Sequence, residues 1–355
     1  MERMKLTYIG AGSFRFSTPF FMEMAKMSAD MGIKLEIGLC DIDEKSLELM
    51  VKYFGAICKK AKRKKGANVE ITSSTDRTEL LPNSDFVYKS ISIGIQESEW
   101  YDNYLPIKFG IPQNTGDTVG PGGIFRSIRV ARVCYEIAKD MKKYCPNAPL
   151  LSYTNPQAAC VMSARTAQPD IQYMGLCHEL FGGAKVIKDY VNKYYKKKIG
   201  EKIERYEDLD MEYGGVNHFV WFTKLGYKGT DLYPLVRERA GEMVKKKKYR
   251  PFNMHLLDEH GWFPYPGSRH VAEFLPKHYN YFNHKIQCKY WSFPVIRDVG
   301  QLSKWRKWAY RGMKWASHWW FYTPPARETG EKAMDMTVDW IKSKEGGSDV
   351  EHVVN

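Results

Sequence analysis

Apolar and polar positions follow two alternating patterns in the first half of the chain. Short apolar runs are typical of buried strands, and the longer segments between them repeat their apolar positions at helical spacing. The predicted strands are 5–9, 35–39, 69–72, 85–93 and 149–153, and the predicted helices are 18–31, 44–65 and 124–144. Strands that alternate with helices in this way predict a parallel, doubly wound sheet.

The pattern changes in the second half. Residues 211–225 alternate between apolar and polar positions, which indicates antiparallel strands, and residues 327–342 have helical periodicity. We therefore predict an α/β protein with two domains. A Rossmann-type domain, residues 1–175, is followed by a mixed α+β substrate domain, residues 176–355, in an arrangement similar to lactate and malate dehydrogenases.

The composition is that of a globular protein, since 43% of the 355 residues are hydrophobic. No apolar run approaches the length of a bilayer span, and residues 1–4 lead directly into a predicted strand. We therefore expect neither a membrane segment nor a signal peptide. The seven cysteines are scattered and form no CxxC pair, which favours reduced thiols in a cytoplasmic protein.

The formal charge of +13 raises the question of nucleic-acid binding. Much of this charge lies in separate lysine-rich runs, at 59–65, 196–198 and 245–248, near the ends of helical patterns. We interpret the runs as solvated helix faces and expect no nucleic-acid partner, which remains the weaker alternative. A basic surface would also increase the encounter rate with anionic sugars or cofactors.

The first strand leads into a glycine turn, "IGAGSFRF". Gly10 and Gly12 occupy the first two glycine positions of a dinucleotide-binding fingerprint, and Arg15 stands in place of the third. Asp41 ends the next predicted strand, where an acid can accept hydrogen bonds from both ribose hydroxyls and disfavours a 2′-phosphate. The turn therefore predicts NAD binding, and the alternative is an ordinary glycine turn between a strand and a helix.

A glycine-rich segment, "QNTGDTVGPGGIFRSIRV" (residues 113–130), follows a predicted strand and overlaps the start of helix 124–144. We expect its four glycines and proline to form an irregular loop that binds a polar ligand through backbone amides. Asp117 lies in its middle as a helix N-cap, a hydrogen-bond partner for sugar hydroxyls, or an acid/base residue. A flexible loop without a ligand is the alternative.

Two further segments contain residues suited to a binding site. Asn155 follows a strand in "SYTNPQAA", at the carboxyl edge where doubly wound sheets bind ligands; an Asx turn is compatible with this position. "GLCHELFGG" provides Cys177 and His178, and "GGVNHFVWF" provides His218. A thiolate and an imidazole form half of a site for a divalent metal, although isolated Cys and His residues more often only pack.

Six segments in one order resemble family 4 of the glycoside hydrolases: "IGAGSF", "DTVGPGGIFRSIR", "YTNPQA", "GLCH", "GVNHFVWF" and "HVAEFLP". Enzymes of this family use NAD and a divalent metal such as Mn²⁺, unlike most glycosidases. The resemblance implies that bound NAD oxidises the sugar at C3, which acidifies the C2 proton. A base removes that proton, the aglycone leaves, water adds, and the hydride returns to C3, while the metal stabilises the enolate.

The resemblance also assigns roles in cofactor and metal binding. It implies that Cys177 and His218 are metal ligands and that Asn155 orients substrate and nicotinamide. Ser13 and Arg15 match a branch in which the third glycine is dispensable. Arg15 then lies near the cofactor phosphates or points to solvent.

For substrate and catalysis, the resemblance implies that Asp117 is a polar active-site residue and that His178 is the general acid. A His after the metal-binding Cys is typical of branches that act on unphosphorylated sugars. The C2 base comes from the segment "GWFPYPGSRHVAEF", in which Tyr265 is the nearest titratable candidate. Arg269 and His270 are candidate substrate contacts, and the arginine suits a hexuronate carboxylate.

These inferences predict an NAD- and Mn-dependent α-glycosidase for a small unphosphorylated hexoside or hexuronide. The alternatives are an NAD-dependent 2-hydroxyacid dehydrogenase and a catalytically inactive NAD-binding paralogue. The family resemblance also predicts a homodimer or homotetramer, and the lack of a long apolar run predicts no membrane partner. Relatives continue beyond the final "EHVVN", so we expect domain 176–355 to be truncated at its C-terminus; the alternative is a naturally short protein.

Overall fold

The computed structural model describes residues 3–275 except 95–97, 99–100, 104, 107–108 and 112, and it describes the backbone but not the side chains of 14–16. The predicted helix 327–342 lies outside the described residues. The fold below therefore concerns the predicted Rossmann-type part and the first 100 residues of the predicted substrate domain.

A six-stranded sheet forms the first part of the chain, in the order β3-β2-β1-β4-β5-β6. Its strands are β1 (Arg3–Ile9), β2 (Lys34–Cys40), β3 (Asn68–Ser74), β4 (Phe86–Lys89), β5 (Leu150–Ser152) and β6 (Tyr173–Gly175). All neighbouring pairs are parallel. The order reverses between β1 and β4, which is the point where doubly wound sheets bind their ligands. The predicted Rossmann-type fold is confirmed.

Helices cover both faces of this sheet. They are α1 (Phe14–Met31), α2 (Glu44–Lys65), α3 (Arg77–Leu80), α4 (Gly120–Tyr144) and α5 (Gln157–Ala167). The next helix, α6 (Glu179–Ile199), packs in the core of the second part. Phe21 and Phe54, from α1 and α2, stack with a ring-centroid distance of 4.1 Å in the core on one face. Ile137 of α4 and Ala164 of α5 pack against the opposite face. Burial on two faces explains the buried ends of the inner strands β1 and β2, whereas the edge strand β3 is mostly polar.

Two predicted boundaries are wrong. Helix α1 begins at Phe14 and contains Pro19, whereas the prediction began it at residue 18. Pro19 is the sixth residue of α1, so it lies past the first-turn amides and removes one helical hydrogen bond, the one to the carbonyl of residue 15. Strand β4 ends at Lys89 and not at residue 93.

The predicted irregular loop is wrong from Gly120 onward, because α4 already begins there and includes three of the four glycines, whereas Gly116 lies outside helices and strands. Pro121 in its first turn has a φ suited to a helix start. A Cβ on Gly122 would lie 2.4 Å from the carbonyl oxygen of Asp102, and one on Gly123 would lie 2.6 Å from the backbone of Thr118. These glycines therefore permit close packing at a helix N-terminus.

An antiparallel sheet organises the second part, as the alternation at 211–225 predicts. The order is β7-β8-β9. The elements are β7 (Asp210–Val216), β8 (Phe219–Tyr227), β9 (Thr230–Asp231), α7 (Tyr233–Glu238), α8 (Ala240–Lys245), α9 (Pro251–His260) and α10 (Ser268–Glu273). Ile187 of α6, Phe222 of β8 and Met254 of α9 share one buried core. Val271 and Ala272 of α10 lie in a smaller separate core with Phe252 and Leu256 of α9.

The lysine-rich runs lie where the sequence pattern places them. Four basic residues end α2 and three end α6, where positive charge interacts favourably with the helix dipole. None of the helices within the described residues is both long and apolar enough to cross a membrane.

Candidate active site

The glycine turn connects the carboxyl ends of three strands. The amides of Gly10 and Ala11 both donate to the carbonyl of Cys40, at 2.8 and 3.0 Å. Gly10 has a φ of +94°, and a Cβ there would lie 2.1 Å from the carbonyl oxygen of Ser90. Ser13 is the N-cap of α1, and its side chain makes no capping bond among the described contacts. First-turn amides at such a helix start suit a phosphate group.

Asp41 holds the same turn from the end of β2. One carboxylate oxygen accepts from the amide of Gly12 at 2.8 Å, and the other accepts from the amide of Asp43 at 3.0 Å. Each oxygen retains a second lone pair for a ligand hydroxyl. Arg15 lies in the first turn of α1, but its side chain is outside the described part of the structure.

Three residues that are distant in sequence form the candidate metal centre. Ligand atoms of Asp117, His218 and His270 all lie within 4.8 Å of one another. Asp117 precedes α4, His218 lies in the turn between β7 and β8, and His270 is on α10. The Asp117 carboxylate is 3.5 Å from the His270 ring and 4.0 Å from the His218 ring. The centre therefore joins the two predicted domains.

Thr118 determines which His218 nitrogen carries the proton. Its hydroxyl lies 2.7 Å from a carboxylate oxygen of Asp117 and 2.9 Å from Nδ1 of His218. Because the carboxylate can only accept, the hydroxyl donates to Asp117 and accepts from Nδ1–H. A neutral His218 then has its lone pair on Nε2, as a metal ligand requires.

The charges in this centre are coupled. Burial opposes ionisation of Asp117, but the positive charge and hydrogen bond of His270 and the charge of His218 outweigh it and lower the pKa of Asp117. Burial and the neighbouring His270 charge lower the pKa of His218 to about 4. For His270, burial is outweighed by the Asp117 carboxylate, which raises the pKa. The centre thus combines an anionic oxygen donor and a neutral imidazole at neutral pH.

Asn155 connects this centre to the parallel sheet. Its amide nitrogen donates to Asp117 at 3.3 Å, and its oxygen accepts from the Asn217 amide at 3.2 Å. The Asn155–Pro156 and Asn217–His218 peptide bonds are both cis. Asn155 follows β5 by three residues. The carboxyl edge of the sheet is therefore linked to the β7–β8 turn through two amide side chains.

Cys177 and His178 lie at the start of α6, beside the centre. Burial raises the pKa of the half-buried Cys177 to about 11, and the Asp117 charge contributes to the rise. His178 is the N-cap of α6, and its side chain is 62% exposed. Asp117 and His270, which the sequence analysis did not assign to the metal, form the close group with His218.

Glu179 organises the segment that contains Tyr265. It lies 3.3 Å from the Arg250 guanidinium and accepts from the amide of Gly267 at 2.6 Å. Arg250 also donates to the carbonyl of Tyr265. Burial and the Cys177 charge raise the pKa of Tyr265 to about 12. The sequence analysis missed Glu179 and Arg250, because nothing in their local pattern indicates a shared partner.

Glu273 holds the loop that presents Asp117. One of its carboxylate oxygens accepts from three consecutive amides, those of Asn114, Thr115 and Gly116, at 2.7, 2.5 and 2.7 Å. Arg269 donates to the carbonyl of Asn114 at 2.6 Å. The sequence analysis missed Glu273 as a site residue. Glu273 could have been predicted from its position three residues after His270 on a helix, because residues at that spacing lie on the same helix face.

The donor sets fit the groups that the sequence analysis predicts. A carboxylate oxygen suits Mn²⁺ and imidazole nitrogens bind divalent transition metals, and the Asp117 carboxylate is buried beside the rings of His218 and His270. At the turn, Gly10 lets the backbone approach closely, and Asp41 offers carboxylate oxygens beside it. The arrangement can therefore hold a pyrophosphate at one end and a cation at the other.

Comparisons with known proteins cover both parts of the chain. Residues 5–193 match the description "Family 4 glycosyl hydrolase", and residues 213–355 match its C-terminal domain. An α-galactosidase of Bacillus subtilis is 32% identical over 85% of this chain and 67% of its own length. An α-galacturonidase of Lachnoclostridium phytofermentans is 31% identical over 86% of this chain. The chain spans 65% of the length of that α-galacturonidase.

Solved structures show the same fold. A Bacillus subtilis protein described as a candidate glucosidase superposes with a TM-score of 0.72 at 24% identity, over 100% of this chain and 76% of its own. A 6-phospho-α-glucosidase from gut microorganisms, in complex with NAD and Mn²⁺, has a TM-score of 0.61 at 20% identity, over 79% of this chain and 63% of its own. From the sequence match over both parts, this chain belongs to family 4 of the glycosyl hydrolases.

Proposed function

We propose that this chain is an NAD- and divalent-metal-dependent glycosidase that cleaves an unphosphorylated α-hexoside or α-hexuronide. The observation that carries the proposal is the Asp117, His218 and His270 centre, which lies between the carboxyl edge of a Rossmann-type sheet and the antiparallel sheet. Residues 1–175 would bind the cofactor and residues 176–355 the metal and sugar.

The proposed cofactor site uses the glycine turn. Gly10, Gly12 and the N-terminus of α1 at Ser13 would hold the pyrophosphate of NAD. Asp41, at the end of β2, would accept from the ribose hydroxyls. NAD would supply reversible hydride transfer at C3 of the sugar, and a divalent metal would polarise the oxygens at C2 and C3.

The metal would be held by His218 together with Asp117 or Cys177. Asp117 and a neutral His218 are ready for this role at neutral pH, whereas the Cys177 thiol must first lose its proton. A nearby divalent cation favours that loss. Asn155 would hold Asp117 in place through its amide nitrogen and would orient substrate and nicotinamide.

Acid and base roles fall to residues around this centre. The exposed His178 side chain would protonate the leaving-group oxygen. Tyr265 would remove the C2 proton, and its burial beside Cys177 keeps it protonated until a cation lowers its pKa. The Glu179–Arg250 pair would keep the Tyr265 segment in position through its backbone.

The sugar class is proposed from residues and relatives together. Relatives named α-galactosidase and α-galacturonidase are about 30% identical over most of the chain. Arg269 and His270 lie on α10 at the centre, where a cationic group would interact with a hexuronate carboxylate. A carboxylate at that place distinguishes a uronide from a neutral hexoside.

Hydrolysis of chromogenic α-galactoside and α-galacturonide tests the proposal. Product should form only when NAD, Mn²⁺ and a thiol reductant are all present, without net accumulation of NADH. Net NADH production would instead support a dehydrogenase, and NAD binding without any turnover would support an inactive paralogue.

A further inference from the structure

A buried lysine contacts a cysteine outside the candidate active site. Lys89, the last residue of β4, is fully buried, and its Nζ lies 2.8 Å from the Sγ of Cys134 on α4. The ring of Tyr173 lies 5.7 Å from the same nitrogen. No carboxylate is among the contacts of Lys89 in the described part of the chain. The Cys134 sulfur is therefore the hydrogen-bond acceptor for the Lys89 amine among these contacts.

A second cysteine completes this cluster. Cys160 on α5 is fully buried and contacts the carbonyl of Thr154 at 3.5 Å. A hydrogen bond from Cys160 lowers the pKa of Cys134, and the charge of Lys89 adds to this effect against the opposing effect of burial. Cys134 therefore has thiolate character, the form in which sulfur reacts with peroxides.

We propose that Lys89 and Cys134 are an oxidation site at which peroxide joins the amine and the thiol through one bridging oxygen atom, as N–O–S. The distance between Nζ of Lys89 and Sγ of Cys134 carries this inference. At 2.8 Å it is shorter than an ordinary N–H···S hydrogen bond and close to the nitrogen–sulfur separation across one bridging oxygen atom. Neither residue belongs to the proposed catalytic or cofactor sites. The reaction would be a modification independent of glycoside hydrolysis.

The chemistry balances with hydrogen peroxide as the oxidant. A first peroxide transfers an oxygen atom to the Cys134 thiolate, which gives a sulfenic acid and water. A second peroxide takes up two electrons as the nitrogen–oxygen bond forms between Lys89 and that sulfenic oxygen. One amine, one thiol and two peroxides thus give one N–O–S bridge and three waters. The two peroxides are reduced, and the amine and thiol are oxidised.

The bridge would join the end of β4 to α4. Residues 89 and 134 are 45 positions apart, so a covalent link between them restricts the unfolded chain and raises thermal stability. Thiol reductants would reverse the bridge, since they attack the sulfur atom. The oxidised and reduced proteins would therefore differ in melting temperature.

Mass spectrometry of the full-length chain tests the proposal. After peroxide treatment and removal of the peroxide with catalase, we expect a gain of one oxygen and a loss of two hydrogens, about 14 Da. The change should map to a cross-linked peptide pair that contains Lys89 and Cys134. The bridge should block tryptic cleavage after Lys89 and disappear on reduction.

Three controls separate this result from other oxidations. Cys160→Ser should still form the bridge, whereas Lys89→Arg should not. Protein unfolded in urea before treatment should also fail to form it, which provides a test on the unmodified sequence if a variant does not fold. A Cys134–Cys160 disulfide, or oxygen added to separate cysteines without a link to Lys89, would overturn the proposal.

Discussion

Glu273 allows the sharpest prediction, because its burial and its three amide contacts have opposite effects on its charge. Its side chain is 3% exposed. Burial, and then the neighbouring Asp117 charge, raise the pKa of Glu273 to about 7 despite the amides of Gly116 and Thr115. In the unfolded chain the carboxyl group returns to its ordinary value of 4.5. The folded state therefore binds this proton more tightly.

The sign and size of the effect follow from linkage. Since the folded pKa is the higher one, the stabilising contribution is fully present below pH 4.5 and is lost as the pH rises through about 7. Between pH 5 and pH 8 this loss lowers the unfolding free energy of the unsubstituted protein by roughly 2–3 kcal/mol. Glu273→Gln removes the titration but keeps an oxygen acceptor for the three amides. As the pH rises from 5 to 8, the unsubstituted protein should lose this contribution and Glu273→Gln should not. The difference in unfolding free energy between the two proteins should therefore change by roughly 2–3 kcal/mol in favour of Glu273→Gln.

Urea unfolding followed by tryptophan fluorescence at pH 5, 6, 7 and 8 measures the effect. Glu23→Gln, on the exposed side of α1, is the matched control and should show no such trend. Glu273→Ala should be less stable than Glu273→Gln by about 2 kcal/mol or more, because three buried amides lose their acceptor. Equal pH dependence in Glu273→Gln and the unsubstituted protein would refute this account of the loop.

Three further substitutions test other parts of the site. Gly10→Ala should lower the unfolding free energy by about 3 kcal/mol or more, measured by thermal unfolding. Gly229 also has a positive φ but has open space around it, so Gly229→Ala should lower the unfolding free energy by only about 1–2 kcal/mol. Similar losses in the two variants would contradict the close approach at the turn. Asp41→Ala should weaken NAD binding about tenfold in calorimetry through lost ribose hydrogen bonds, and unchanged affinity would contradict that role. His218→Ala should weaken Mn²⁺ binding at least about tenfold while His255→Ala leaves it unchanged, and equal effects would exclude His218 as a ligand.

The parallel sheet was predictable because its signals are local. Strands β1 and β2 are apolar runs that end at Gly10 and at Asp41, and α2 has a helical period with basic residues in its last turn. Each of these features depends on neighbours in sequence. The start of α4 was not predictable, because Gly122 is required by the Asp102 carbonyl, which is distant in sequence.

The metal centre was only partly predictable for the same reason. His218 was identified from its own segment, but its contacts come from Asp117 and His270, which are 101 residues before it and 52 residues after it. Composition and periodicity do not specify which distant side chains meet. Glu273 was missed because its partners are backbone amides, which are present in any sequence.

The central claim is that the sugar is oxidised at C3 and loses its C2 proton during hydrolysis. Its most direct test is turnover of the hydrolysed α-glycoside in D₂O with NAD and Mn²⁺, followed by mass spectrometry and NMR of the released sugar. The account predicts one solvent deuterium at C2 and none in free sugar incubated under the same conditions without the protein. Hydrolysis that needs no NAD, or that leaves C2 without deuterium, would contradict the account.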